Sequence, residues 1–183
     1  DHPEPKIRQT AAWLMGEDNE EPSFHKVLLV FLKDPEPLVR YNAALSLSRF
    51  QDEASRPILS AMLSPYDVVA ETDGEIEEML KEGLAVKQGA QLARLDVNQE
   101  EPFRMLSKVN GVVKAHLASI GSRIQRGQKI CSIEPNEEQV FAALRAFVTV
   151  GKSEDIALIQ SVSSTGSRRV QRQAKETIKS IEY

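Results

Sequence analysis

Few residues in this chain have the type and spacing that chemistry would need. His2, His25 and His116 stand in three separate segments, and no two share the i, i+4 spacing that puts ligands on one helix face, so no metal site is expected. Cys131 is the single cysteine, which excludes an internal disulfide and a thiolate cluster. It lies in the apolar run Lys129-Ile130-Cys131-Ser132-Ile133 with no histidine nearby in sequence, and reads as a small buried hydrophobe rather than a nucleophile. The carboxylate runs Glu17-Asp18-Asn19-Glu20-Glu21 and Glu75-Ile76-Glu77-Glu78 read as solvated turns, because acid–base catalysis needs two carboxylates held across a cleft. The glycines fit neither the phosphate-loop nor the dinucleotide pattern. The expectation is therefore no catalytic residue, no cofactor and no enzyme activity.

The cations are the remaining candidates. Arg8 and Arg40 recur at matching positions, and the expected role is to bond an acid or a helix end of a neighbouring repeat. Arg168, Arg169, Arg172 and Lys175 give the last helical segment a basic face, read either as the polar cap of a stack or as a docking surface for an acidic partner.

The elements that must carry these residues come in two kinds. Of the 183 residues, 41% are apolar and 27% charged, a normal globular balance, and a net charge of −4 argues against nucleic acid as the partner. No apolar run is long enough to span a bilayer. No stretch has the build of a signal peptide, although the chain opens on Asp1 rather than Met, so targeting stays open.

Residues 1–65 read as short amphipathic helices. Ile7, Ala11, Ala12 and Leu14 make one apolar face, and Val27, Leu28, Val30, Phe31 and Leu32 the next. Val39, Ala43, Ala44 and Leu47 follow, then Ile58, Leu59, Met62 and Leu63. Pro3-Glu4-Pro5-Lys6-Ile7-Arg8 matches Pro35-Glu36-Pro37-Leu38-Val39-Arg40 at an offset of 32. The pattern is a proline that opens a helix, a branched residue with arginine, then small alanines that allow close approach. It returns in residues 134–183, where Ala142, Ala143 and Leu144 follow Glu134-Pro135, and Val170 and Ala174 sit in the last helix. With Ala11, Ala43, Ala142 and Ala174 as equivalents the intervals are 32, 99 and 32, so about 67 residues are expected as an insertion between the second and third repeats.

That insert, residues 66–133, changes character. Apolar residues alternate and glycines become regular, which predicts short strands. Gly74-Glu75-Ile76, Gly83, Val86 and Gly89 align with Gly111-Val112-Val113, Gly121, Ile124 and Gly127, so the insert is itself a duplication.

The helical pattern resembles HEAT repeats, in particular the compact phycobilisome-lyase type. The duplicated glycine pattern resembles the biotinyl/lipoyl-type barrel-sandwich hybrid, and also the matching domain of HlyD-like membrane-fusion adaptors. The fold implied is a multi-domain α and β protein: an α–α HEAT-like solenoid (repeats 1–2 in 1–65, repeats 3–4 in 134–183) interrupted by an all-β barrel-sandwich hybrid at 66–133. In carrier members of the biotinyl/lipoyl family a lysine at the hairpin between the halves takes the cofactor. Here Asp96 to Met105 contains no lysine, and Gln99, which lacks the amine that forms the amide, falls near that place. Lys108 is expected on the following strand. Fusion adaptors put a long helical hairpin between the halves, and here the connection is expected at only about a dozen residues.

The resulting expectation is a non-enzymatic interaction or scaffolding module with a protein partner. The fusion-adaptor resemblance implies a bacterial envelope adaptor in a membrane-associated complex, with periplasm or envelope slightly favoured over cytoplasm. The alternatives are a cofactor-carrier or carrier-docking subunit, and a lyase-like assembly factor.

Overall fold

Proline in the first turn opens the first four helices, where its missing N–H deprives no partner. These are α1 (Pro5–Met15), α2 (Pro22–Phe31), α3 (Pro37–Arg49) and α4 (Arg56–Met62). Glu21 caps α2 by accepting from the Ser23 amide, and Asp52 does the same for Ala54 in the 3₁₀ turn ahead of α4. The computed structural model describes residues 2–182. After an eight-stranded segment the helices resume as α5 (Glu137–Val150), α6 (Ile156–Thr165) and α7 (Arg168–Glu182). The described residues form two compact units, one of residues 2–63 with 137–182 and one of Ser64–Asn136. No helix among the described residues is long and apolar enough to cross a membrane.

In the helical unit, α1 packs on α3, α3 on α5 and α5 on α7, while α2, α4 and α6 each lean on the next of these helices. Val39, Ala43 and Leu47 of α3 form one core with Ala12, Leu28 and Phe31 of the preceding pair. Alanine at 12, 43 and 44 carries no side chain beyond Cβ, which is what lets neighbouring backbones come together.

Polar bridges lock the repeats. Ser46 Oγ donates to the Ala12 carbonyl at 2.7 Å, Asn42 to that of Gln9 and Arg49 to that of Gly16. Gly16 admits this contact because a Cβ there would lie 2.3 Å from Ser46 Oγ. Arg8 grips both carboxylate oxygens of Asp34 at 2.7 and 3.0 Å, and also donates to the carbonyls of His2 and Pro3. Arg40 donates to the carbonyls of Asp34 and Pro35, the same pattern one repeat on. Arg56 ties the start of α4 to Glu154 and Asp155 ahead of α6.

Three expectations need correction. The buried alanine of α5 is Ala143 (fully buried) rather than Ala142, which is half-buried, so the register after the insert differs by one residue. Ile7 and Leu14, expected on the apolar face of the first helix, are 49% and 53% exposed. Glu134-Pro135 belongs to the last strand rather than to the helical segment, and among the described residues no helix follows α7.

The second unit holds β1 (Tyr66–Val69), β2 (Gly74–Met79), β3 (Ala85–Val86), β4 (Gln91–Asp96), β5 (Phe103–Leu106), β6 (Gly111–His116), β7 (Arg123–Ile124) and β8 (Lys129–Pro135). They make two antiparallel four-stranded sheets, ordered β1-β8-β6-β3 and β5-β4-β2-β7. The two orders map onto each other when the halves are exchanged. Gly83 and Gly121 share a φ of 82°, and Gly89 and Gly127 have 85° and 87°, a left-handed conformation that glycine tolerates. The backbone bonds repeat as well: the Gly83 amide donates to Val113 and that of Gly121 to Ile76, while Gly89 donates to Ser107 and Gly127 to Ala70. Gly74 and Gly111 lie against the carbonyls of Asp96 and Glu134, where a Cβ would come within 2.7 and 2.2 Å.

Strand β1 pairs with β8, Tyr66 opposite Ile133, so the two ends of this unit leave side by side. Lys108 lies beyond the end of β5 instead of on a strand, ion-paired to Glu71.

Leu47 is fully buried at the contact between the first and second repeats. Leu47→Ala is expected to lower unfolding free energy by about 3 kcal/mol, read as a drop in the urea midpoint without loss of helical circular dichroism in the native baseline.

Candidate functional site

The helical unit offers three surfaces. The first is the outer face of the first repeat, a hollow of about 500 Å³ lined by Ile7, Ala11, Val27, Val30 and Phe31. Ile7, Ala11 and Met15 stand one repeat before Val39, Ala43 and Leu47, which the first repeat buries completely or nearly so. At the same positions in α1, Ile7 is 49% exposed and Ala11 and Met15 are only partly buried, and Val30 on α2 is 62% exposed. Among the described residues this apolar face has no helix packed on it. It was missed in sequence because periodicity marks which side of a helix is apolar, not whether another repeat covers it.

The second surface is a groove of about 390 Å³ across α1, α3 and α5, bordered by Trp13, Arg49, Arg145 and Thr149. Trp13 is 49% exposed. Arg49 is paired with Glu17, whereas Arg145 makes no ion pair with a described residue. None of these residues stood out in the sequence, since each is an isolated polar or aromatic position within an ordinary helix.

The third is α7. Val170, Ala174 and Thr177 face inward, and Arg168, Arg172 and Lys175 are exposed at helical spacing on the other side. Arg169 departs from that set. It pairs with Glu138 of α5 and lies over the Phe141 ring at 4.0 Å, so it serves packing within the stack.

In the β unit, Gln99 is exposed on the turn from β4 to β5, residues 97–102, where Asn98 takes a positive φ and its amide donates to Asp96. The connection is shorter than the expected dozen residues. His116 is half-buried, its Nε2 2.8 Å from the Leu80 carbonyl, and His25 faces Asp52 at 2.6 Å. No group of three or more His, Cys, Asp or Glu side chains that could hold a metal ion occurs among the described residues.

Electrostatics follow the packing. The hydrogen bond from Arg8 holds the Asp34 carboxyl below its usual range, assisted by the Glu36 amide. Burial pushes the Cys131 thiol up to about 11, with the charge of Asp67 adding to the effect. A thiol so placed is protonated at neutral pH and a poor nucleophile.

Residues 1–72 match the profile of HEAT repeats, so the N-terminal helices are HEAT-like. No curated protein matches the chain. Among solved structures, the product-bound ectoine utilization protein EutE (DoeB) from Ruegeria pomeroyi is 24% identical over 37% of this chain and 21% of its own, with a TM-score of 0.32. A single-chain, multi-domain long-chain acyl-CoA carboxylase is 18% identical over 56% of this chain and 12% of its own, with a TM-score of 0.37. The chain thus spans about a fifth of one and about an eighth of the other, and likenesses at this level carry no functional weight.

The raised Cys131 thiol has a pH consequence. Above an ordinary value near 9 the unfolded thiol loses its proton while the folded one keeps it, so folding stability falls as pH rises from about 9 to about 11. Cys131→Val is expected to flatten that slope in urea titrations across this range, and a thiol reagent at neutral pH should label Cys131 only as fast as the chain unfolds.

Proposed function

We propose that this chain is a non-enzymatic protein-interaction or scaffolding module. In this reading HEAT-like repeats at 1–65 and 134–183 form one stack, and 66–133 is an inserted biotinyl/lipoyl-like barrel-sandwich hybrid that carries no cofactor. The observation that carries the reading is the uncovered stacking face of the first repeat. An apolar surface at Ile7, Val27 and Val30, next to a core of the same residue types, is stabilised by a partner that removes it from water. At the other end, the exposed Arg168, Arg172 and Lys175 make α7 the polar cap of the stack, and this is the favoured role for that face.

The non-carrier reading of the β unit is supported by the hairpin itself, where Gln99 stands in place of a lysine and no lysine occurs from Asp96 to Met105. The envelope-adaptor version is weaker, because the six-residue turn 97–102 leaves no room for the long helical hairpin of fusion adaptors.

Photo-cross-linking from position 30 tests the reading. A benzoylphenylalanine at Val30 is expected to give one discrete cross-linked protein in cells, lost when Val27→Glu is added, while the same group at exposed Lys175 gives none. Intact-mass measurement of the native chain should show no biotin- or lipoyl-sized increment. Turnover of a substrate by the purified chain, abolished by a single cleft substitution, or such a mass increment, would contradict the proposal.

A further inference from the structure

The three contacts between successive first helices of the stack are not alike. Where α1 meets α3, Asn42, Ser46 and Arg49 bridge to backbone carbonyls of α1. Where α5 meets α7, Thr177 donates to the Leu144 carbonyl at 2.9 Å and Ser180 to that of Val148 at 3.1 Å. Ala43, Ala143 and Ala174, each fully buried, set the register between these helices. In that register the bridging positions of α5 are Ala142, Ala146 and Thr149. Two of them have no polar group, and no hydrogen bond runs from the third to α3. The second helices on this side are tied by Arg56 to Glu154 and Asp155, and Gln139 reaches the Met62 carbonyl at 2.9 Å. The junction is thus held along one edge and left open along the other, and the opening is the groove bordered by Trp13, Arg49 and Arg145.

We infer that this groove is the docking site for an acidic protein segment with apolar anchors. The inference rests on the reading of the stack as an interaction surface and names its partner's chemistry. Ala142 and Ala146 give a shallow apolar floor, and Trp13 offers a half-exposed indole beside it. Tryptophan and arginine are the side chains that most often dominate interface energy, the first by area and the second by forked donation to carboxylates. Arg145 makes no ion pair with a described residue, and Arg49, although engaged by Glu17, is on the same border. A basic partner would meet these two cations as like charges, and a purely apolar one would bury Arg145 without compensation. A carboxylate-bearing segment meets neither penalty.

Trp13 is the only tryptophan of the chain, so its emission reports on the groove directly. The probe is a synthetic amphipathic peptide with Glu on one face and Leu on the other, titrated into the intact chain beside a counterpart with Lys for every Glu. The acidic peptide is expected to shift Trp13 emission to the blue, and the basic one to leave it unchanged. Arg145→Glu should weaken the acidic peptide by about tenfold, whereas Arg172→Glu on α7 leaves it unaltered. Ala146→Ser returns the hydroxyl that the other two junctions use, narrows the groove and weakens binding severalfold, so the test does not depend on a charge reversal alone. The inference is overturned if Trp13 fails to respond to the acidic peptide, if the basic peptide binds equally, or if Arg172→Glu weakens binding as much as Arg145→Glu. Such a result would leave the Val30 cross-link intact, whereas loss of that cross-link would count against the interaction reading itself.

Discussion

The pairing of β1 with β8 is the constraint on which the helical unit depends. A helix pair cannot bury its apolar face alone, so α3 and α4 need α5 beside them. Seventy-odd residues of β structure intervene in sequence. Because Tyr66 stands opposite Ile133, the chain leaves and re-enters at neighbouring points, and α5 is delivered to α3 and α4 as the next repeat would be. Insertions with adjacent ends are tolerated for this reason: they ask the host for almost no displacement of its own elements. The junction nonetheless differs from the others, since its second helices are locked by Arg56 while Ala146 of α5 carries no hydroxyl at the position where Ser46 and Thr177 bridge the other two junctions.

Much of this was legible because the relevant residues are constrained by backbone geometry. Pro5 and Pro37 open α1 and α3, and a proline there is readable without knowing the tertiary structure. Gly83, Gly89, Gly121 and Gly127 are likewise readable, because only a few residue types accept a positive φ, and their spacing exposed the duplication that the two sheet orders share. The HEAT-like character of the first helices followed from the matched Pro-Glu-Pro segments and the alanines behind them.

What was not legible depends on neighbours rather than on local conformation. Ala142 and Ala143 are chemically identical, and only packing against α3 and α7 decides that the second is the buried one. Arg169 sits among four cations that read alike in sequence, yet it alone of them is engaged by Glu138 and the Phe141 ring on α5. The groove beside Trp13 is invisible for the same reason. It arises from bonds that Ala142 and Ala146 fail to make, and an absent bridge leaves no periodic signature.

The central claim is that the helices before and after the β unit unfold as one stack. Native-state hydrogen exchange on the intact chain, with and without Leu59→Ala in α4, measures this most directly. The account predicts that amides of α3, α4 and α5 share one opening free energy and that the substitution lowers protection in all three together. Separate opening energies for the helices on either side of the insert, with α5 unmoved by the change in α4, would contradict it.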